Sequence, residues 1–374
     1  MRYKFKYKPY EHQLEALKRS WNKKEFAYFM DMGTGKSKVL IDNMCVLYDR
    51  GEITGALIVA PKGVYRNWEQ GELPTHIPEH VMYDTVLWNP NQTKTQIEKQ
   101  KRLYQVDDNL KIFVMNVEAF STKKGCTEAE RFLNSHQSLM AIDESTTIKN
   151  KDAKRTKSIV KIGKSAHYKR ILTGSPVTKS PMDLYTQAEF LDEWLLGHSS
   201  FFSFQYEYAI VQRRSMGAHS FNQVVGYRNL DKLNGILENF SYRVKKEDCL
   251  DLPDKVYMKR FVTMTPEQTK LYEEMKKHAL AELDGKMTTA ASALAQMVRL
   301  HQITCGHLAT DDGEVTQIKN NRINELLDVI EETNGKIIIW AIYRHDIKKI
   351  EETLSERYGK ESVKSFYGDT ADSD

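Results

Sequence analysis

The chain has 374 residues, 40% of them hydrophobic and 28% charged, with a net charge of +4. That length allows about two or three domains, and the composition excludes collagen-like, low-complexity and disordered classes. The widely separated Cys45, Cys126, Cys249 and Cys305 exclude a Cys-x-x-Cys metal site.

They read as free thiols in a reducing compartment. The N-terminus MRYKFKYKPY lacks the apolar stretch of a signal peptide, and no apolar run reaches the ~18 residues of a membrane-spanning helix. The expected location is cytoplasmic. A net charge of +4 does not by itself imply nucleic acid. Its distribution is more informative: nine Lys/Arg and the single acid Asp152 lie between Lys149 and Arg170. Such a run serves either a polyanion or a solvated helix face.

In chain order, residues 9–20 predict a helix with Leu14 and Leu17 inward. Gln13 lies on it; its amide donates and accepts at once and so could read adenine, or be an ordinary helix glutamine. Phe26–Ser37 (FAYFMDMGTGKS) reads as a strand, a glycine turn and a helix start. The helix runs from Lys36 to Leu47, with Val39, Leu40, Met44 and Leu47 at helical spacing, and Gly51 closes it. This is the context of a phosphate-binding loop. Gly33 and Gly35 let backbone amides converge, and the helix N-terminus adds partial positive charge. Lys36 would then pair the β- and γ-phosphates and the Ser37 hydroxyl would bind Mg²⁺; a glycine-rich loop with a capping serine is the other reading. Met30 replaces the loop's common first glycine.

Ala56–Ala60 predicts a buried strand ending at Pro61-Lys62, followed by a helix carrying Trp68, which reads as core. Val81–Trp88 is a further strand and Thr93–Gln105 an exposed helix. Lys111–Met115 predicts a strand ending at Asn116, and Ser138–Ile142 one ending at Asp143-Glu144. Asp152–Ala166 is a basic helix. Arg170–Leu172 leads into Thr173-Gly174-Ser175-Pro176, and Pro181–Leu191 is a helix. Strands alternating with helices predict a parallel sheet covered on both faces, with ligands at the carboxyl ends of its strands. Each polar cluster falls at such an end. Asp143 would hold Mg²⁺ through water, and Glu144 would orient and deprotonate the attacking water.

Residues 197–250 read as an inserted, mainly helical module. Lys255–Met264 predicts a strand, followed by helices from Pro266 to about Asp284 and over Ala290–Leu300. Then come a helix over Arg322–Thr333, a strand over Lys336–Ile342, a helix over Arg344–Leu354 and a short strand over Ser362–Phe366.

This order of motifs resembles the SWI/SNF-type ATPases of helicase superfamily 2, from Pro9 to about Thr370. Gln13 in PYEHQLEAL resembles the adenine-reading glutamine motif, and DMGTGKS resembles motif I, where the family also lacks the first glycine. Leu57–Gln70 is similar to motif Ia, Ile112–Phe120 to motif Ib, and DESTTIKN (Asp143–Asn150) to motif II. Leu172–Leu191 resembles motif III and its helix. Tyr242–Lys246 followed by LPDK resembles the family's return strand, QMVRLHQITCGH its helix ahead of the second lobe, and Lys336–Leu354 motif IV.

The resemblance implies an α/β fold: a RecA-like P-loop lobe with a parallel sheet (1–195), a helical insertion (196–315), and the beginning of a second RecA-like lobe (316–374). It implies a DNA translocase driven by ATP and Mg²⁺, most readily on double-stranded DNA; the compact size, without obvious accessory reader domains, suggests a bacterial or phage-infected cell. Met32, Gly33, Thr34, Gly35, Lys36 and Ser37 would then bind ATP together with Gln13. Thr173 and Ser175 would couple nucleotide state to DNA grip. Lys62 and Asn116 would touch the DNA backbone, giving affinity without sequence reading; each reads equally well as a loop-capping residue. Thr146 stands where motif II usually has histidine or another polar residue. Motifs V and VI, the latter the source of the family's arginine fingers, are absent, which implies a C-terminal half or partner supplying them. A nucleotide- and DNA-binding switch with little turnover, and an RNA helicase of the same superfamily, stay open as alternatives.

Overall fold

The computed structural model describes residues 3–216, 219–283, 290–309 and 314–368. The chain divides into two compact units, Met1–Pro253 and Asp254–Asp374.

The first unit is built on a seven-stranded sheet. Its strands are β1 (Glu25–Met30), β2 (Gly55–Ala60), β3 (Tyr83–Leu87), β4 (Leu110–Asn116), β5 (Ser138–Asp143), β6 (Tyr168–Thr173) and β9 (Ser241–Val244). They lie in the order β3-β4-β2-β5-β6-β1-β9, and every pair is parallel. The alternation of side chains along each strand divides the apolar residues between two cores. Phe26, Tyr28, Met30, Ala56, Ile58 and Ala60 pack under helices α1 (Glu11–Ser20) and α2 (Lys36–Asp49). Ala27, Phe29, Leu57, Val59 and Phe113 face the opposite core, closed by Phe132, Ile159, Phe190 and Phe204 from later helices. With both faces covered, the central strands read as unbroken apolar runs, which made them visible in the sequence.

The helices expected from Lys36, over Asp152–Ala166 and up to Leu191 form, with boundaries shifted by a few residues. The segment expected as a mainly helical insertion differs. It holds a helix over Phe201–Tyr208, then an antiparallel pair, β7 (Ala209–Met216) with β8 (His219–Tyr227), then a helix over Leu230–Glu238. Its end, β9, pairs with β1 and so belongs to the main sheet. Aromatic content suits helices and strands alike once cross-strand partners are present, and those partners are not adjacent in sequence.

The second unit contains helices over Pro266–Leu283, Ala290–Cys305, Arg322–Glu332 and Arg344–Tyr358, and a short antiparallel pair, His307–Ala309 with Val315–Gln317. The strands expected at Lys255–Met264, Lys336–Ile342 and Ser362–Phe366 are not strands here. Strand composition is present, but among the described residues no ladder partner lies beside them. Ile338, Trp340 and Ile342 accordingly remain exposed. Asp284 and Thr370, the expected ends of a helix and of the family resemblance, lie outside the described residues. Among the described residues, no helix is long and apolar enough to cross a membrane.

Candidate nucleotide-binding site

β1 delivers the glycine loop at its carboxyl end, and α2 begins at Lys36 directly after it. Gly33 and Gly35 have φ of +83° and +87°, a region open to glycine at little cost. Thr34 folds the loop back, donating its N–H and its Oγ1–H to Asp31 O at 3.3 and 2.7 Å. Met32 and Gly33 are exposed, Thr34 is buried, and Lys36 and Ser37 are half-buried at the start of α2. The amides of this bend thus lie where an anion can reach them from solvent.

Gln13 is buried against the loop. Its Oε1 accepts from Tyr10 N at 3.1 Å and its Nε2 donates to Thr34 O at 3.0 Å. His12 Nε2 meets the same carbonyl at 2.9 Å. The amide foreseen as a base reader ties α1 to the glycine loop, and it occupies the space that a Cβ on Gly35 would need.

The acidic pair ends β5. β6, between β5 and β1, places Thr173-Gly174-Ser175 between that pair and the glycine loop. A Cβ on Gly174 would lie 3.4 Å from Asp31 Cα and from Met32 N, so this turn packs on the loop itself. Thr173 Oγ1 donates to Glu144 Oε2 at 3.4 Å and accepts from Ser175 N at 3.2 Å. Glu144 has φ of +48°, an uncommon backbone for a residue with a side chain and of the kind found where function sets geometry. Behind the pair, Ser145 Oγ donates to Gln187 Oε1 at 2.7 Å, anchoring the turn to the helix over Leu184–Leu191. Thr146 offers its carbonyl to Lys149 N at 3.3 Å.

Asp143 accepts from Trp68 Nε1 at 3.1 Å and from Glu144 N at 3.0 Å. Trp68 is core, as expected, at 2% exposure, and its indole N–H also fixes this carboxylate. A buried indole needs an acceptor, and that rule was the available signal for this bond. Burial pushes the Asp143 carboxyl up to about 6; Trp68 and Lys36 pull it down while Glu144 pushes it further up. Lys36 and Asp143 therefore sense each other's charge. Among the described residues no cluster of three His, Cys, Asp or Glu surrounds the site.

The raised carboxyl has a consequence for stability. A folded-state value of about 6, above the ordinary 3.8, means that the native state holds an extra proton between those values. Stability then falls as pH rises through that window. The stability difference between Asp143→Asn and wild type is expected to shift in favour of the variant by roughly 1–2 kcal/mol as pH rises from about 4 to 7.5, on top of a constant cost for the second N–H that the amide cannot accept. Urea unfolding across that range checks it; a difference that stays constant or moves against the variant as pH rises would contradict the sign.

Lys62 follows β2 and Asn116 ends β4, neighbouring strands at the same edge of the sheet. Lys62 is exposed, and Asn116 Nδ2 donates to Glu118 Oε2 at 2.9 Å. Asp31 and Lys246, which sequence reasoning did not single out, also meet at the loop: Lys246 N donates to Asp31 Oδ2 at 2.9 Å.

Comparison with known proteins bears on this arrangement. The SNF2-related domain matches residues 17–308. The chain is 25% identical over 346 residues to YwqA of Bacillus subtilis (strain 168), covering 88% of this chain and 34% of that protein. It is 24% identical over 359 residues to the chromatin-remodeling ATPase INO80 of Candida albicans, covering 90% of this chain and 25% of that one. It thus spans between a quarter and about a third of these relatives. Its fold is similar to that of the Sulfolobus solfataricus SWI2/SNF2 ATPase core in complex with dsDNA, with a TM-score of 0.53 and 21% identity over 95% of this chain and 71% of that one. The matched range contains the glycine loop, the acidic pair, the turn between them and the strand that completes the sheet, and on that extent the chain belongs to the SNF2-related domain family.

Proposed function

We propose that the chain is an ATP-dependent motor, or the N-terminal part of one, that couples Mg-ATP hydrolysis to movement along double-stranded DNA. The observation that carries this reading is the convergence at one sheet edge. The glycine loop, the Lys36 ammonium and the Asp143-Glu144 pair meet there, with Thr173–Ser175 packed between them.

In this reading the Gly33–Gly35 amides and the start of α2 receive the β- and γ-phosphates, and Lys36 neutralises their charge. Gln13, already bonded to the loop, meets the adenine with its remaining hydrogen and lone pair. The donor set suits magnesium, which takes one or two carboxylates together with substrate phosphates and waters rather than an all-protein cage. Ser37 and Asp143 would hold it. Bound there, the metal would neutralise charge on the phosphoryl oxygens. A carboxylate whose burial disfavours its charge is a group that gains from a cation. Glu144 orients a water for in-line attack and takes its proton. Thr173, bonded to Glu144 and to Ser175 N, reports the state of that carboxylate to the turn. Lys62 and Asn116, one strand apart at the same edge, grip the DNA backbone without reading sequence. The relatives named chromatin-remodeling ATPase and the Sulfolobus core solved with dsDNA support this choice of polymer.

Phosphate release measured with duplex DNA, single-stranded DNA and RNA tests the proposal. Duplex DNA is expected to stimulate turnover most, and the stimulation should fall steeply with salt as phosphate contacts are lost. Equal turnover with and without any nucleic acid would overturn the motor reading, and preferential stimulation by RNA would overturn the choice of DNA.

A further inference from the structure

β9 ends at Val244, and the chain then passes directly over the phosphate loop. Asp31 N donates to Val244 O at 3.0 Å, and Lys246 N donates to Asp31 Oδ2 at 2.9 Å. These two bonds pin residues 244–246 to the first residue of the loop. From there the Lys246 side chain runs across Gly33. Its Nζ lies 3.5 Å, and its Cε 3.8 Å, from the point that a Cβ on Gly33 would occupy.

Among the described residues, the two buried lysines of this unit are both paired. Lys38 is paired with Asp42 at 2.6 Å, and Lys111 with Asp84 at 2.6 Å and Asp107 at 2.7 Å. Lys246 is half-buried, yet among the described residues its ammonium makes no ion pair and no hydrogen bond. A half-buried ammonium without a countercharge is available to an incoming anion. The nearest feature built for an anion is the glycine bend beneath it.

We propose that Lys246 is a second phosphate-binding cation of this site, meeting the β/γ-phosphate oxygens of a nucleoside triphosphate from the β9 side while Lys36 meets them from α2. The proposal rests on the ATP reading above. It gives the pairing of β9 with β1 a use beyond completing the sheet: the parallel ladder sets the height at which Lys246 crosses the loop. A lysine suits the position because a compact ammonium on a flexible stem can follow phosphate oxygens as a point charge.

Fluorescent ATP and ADP titrations on wild type, Lys246→Gln, Lys246→Arg and Lys36→Ala test it, with thermal melts as a folding check. Lys246→Gln is expected to weaken ATP about tenfold and ADP by less. Lys246→Arg should recover most of the loss, and the melts should match wild type. Unchanged ATP affinity in Lys246→Gln, with binding abolished in Lys36→Ala, overturns the proposal while leaving the ATP reading intact. A loss in Lys246→Gln that follows a lowered melting temperature and is not recovered by arginine also overturns it, because the role is then structural. If wild type binds neither nucleotide, the ATP reading itself fails.

Discussion

Glu144→Gln is expected to bind Mg-ATP with near wild-type affinity and to hydrolyse it about 10²–10⁴-fold more slowly. The substitution keeps the side chain's size and its capacity to accept from Thr173 Oγ1, so the bond that links the acid to the neighbouring turn survives. What it removes is the ability to take a proton from water. The carboxylate is well placed for that task. It follows the strand end directly, its N–H is held by Asp143 Oδ1 at 3.0 Å, and its backbone is set at φ +48°. A conformation of this kind costs of order 1–3 kcal/mol and persists only when the surroundings impose it. Lys36→Ala is expected to act at the other step and lose nucleotide binding, because the ammonium proposed to balance the phosphates is gone. Calorimetry with a non-hydrolysable analogue, beside steady-state phosphate release in the presence of duplex DNA, separates the two. Turnover persisting in Glu144→Gln would remove Glu144 from the role of base.

Arg170→Met is expected to lower stability by roughly 3–5 kcal/mol, enough to consume much of the ~5–15 kcal/mol available to a typical domain. The guanidinium is fully buried. Nε donates to Asn43 Oδ1 at 2.9 Å, one terminal nitrogen to Lys24 O and Lys169 O at 3.0 and 2.8 Å, and the other to Ser20 O and Lys23 O at 3.0 and 2.8 Å. Burial pulls its pKa down and the neighbouring Tyr28 pushes it up; arginine stays charged across the working range regardless. Methionine fills much of the volume but removes all five donor contacts; Asn43 Oδ1 and Lys23 O lose a partner, while Lys24 O and Ser20 O keep Lys169 N and Lys23 N. Arg170→Lys is expected to be little better, since one ammonium cannot reach acceptors spread around a planar fork. The acceptors also explain a functional consequence. Ser20–Lys24 leads into β1, and Asn43 lies on α2, so this one side chain joins the two elements that flank the phosphate loop. Urea unfolding, with nucleotide affinity measured below the transition, checks both effects. A loss under about 1 kcal/mol would show that water or rearrangement satisfies those carbonyls.

Arg170 also shows where reading residues in order falls short. It is the last of the nine basic residues from Lys149 onward, a run that serves equally as a solvated face or a polyanion surface. Its neighbours fit that description, but Arg170 faces inward on β6 with its charge enclosed by carbonyls. Nothing local separates it from them. Lys246 is similar: in the sequence it is one of three basic residues within Arg243–Lys246, and only the pairing of β9 with β1 carries it over Gly33.

What the sequence determined by itself is whatever depends on neighbours a few residues away. The strand–glycine–helix unit, the apolar runs of β2, β4 and β5, the acidic pair at a strand end and the start of α2 all follow from local periodicity and from φ angles favoured in glycine. Tertiary structure alone decided which strand lies beside which. It brought Thr173–Ser175 between loop and acids, paired Ala209–Met216 with His219–Tyr227, set β9 at the edge of the sheet, and left Lys336–Ile342 without a ladder despite its strand composition. The physical reason is that a strand is stabilised by hydrogen bonds to a partner distant in the chain, whereas a turn or a helix is stabilised largely by its own residues.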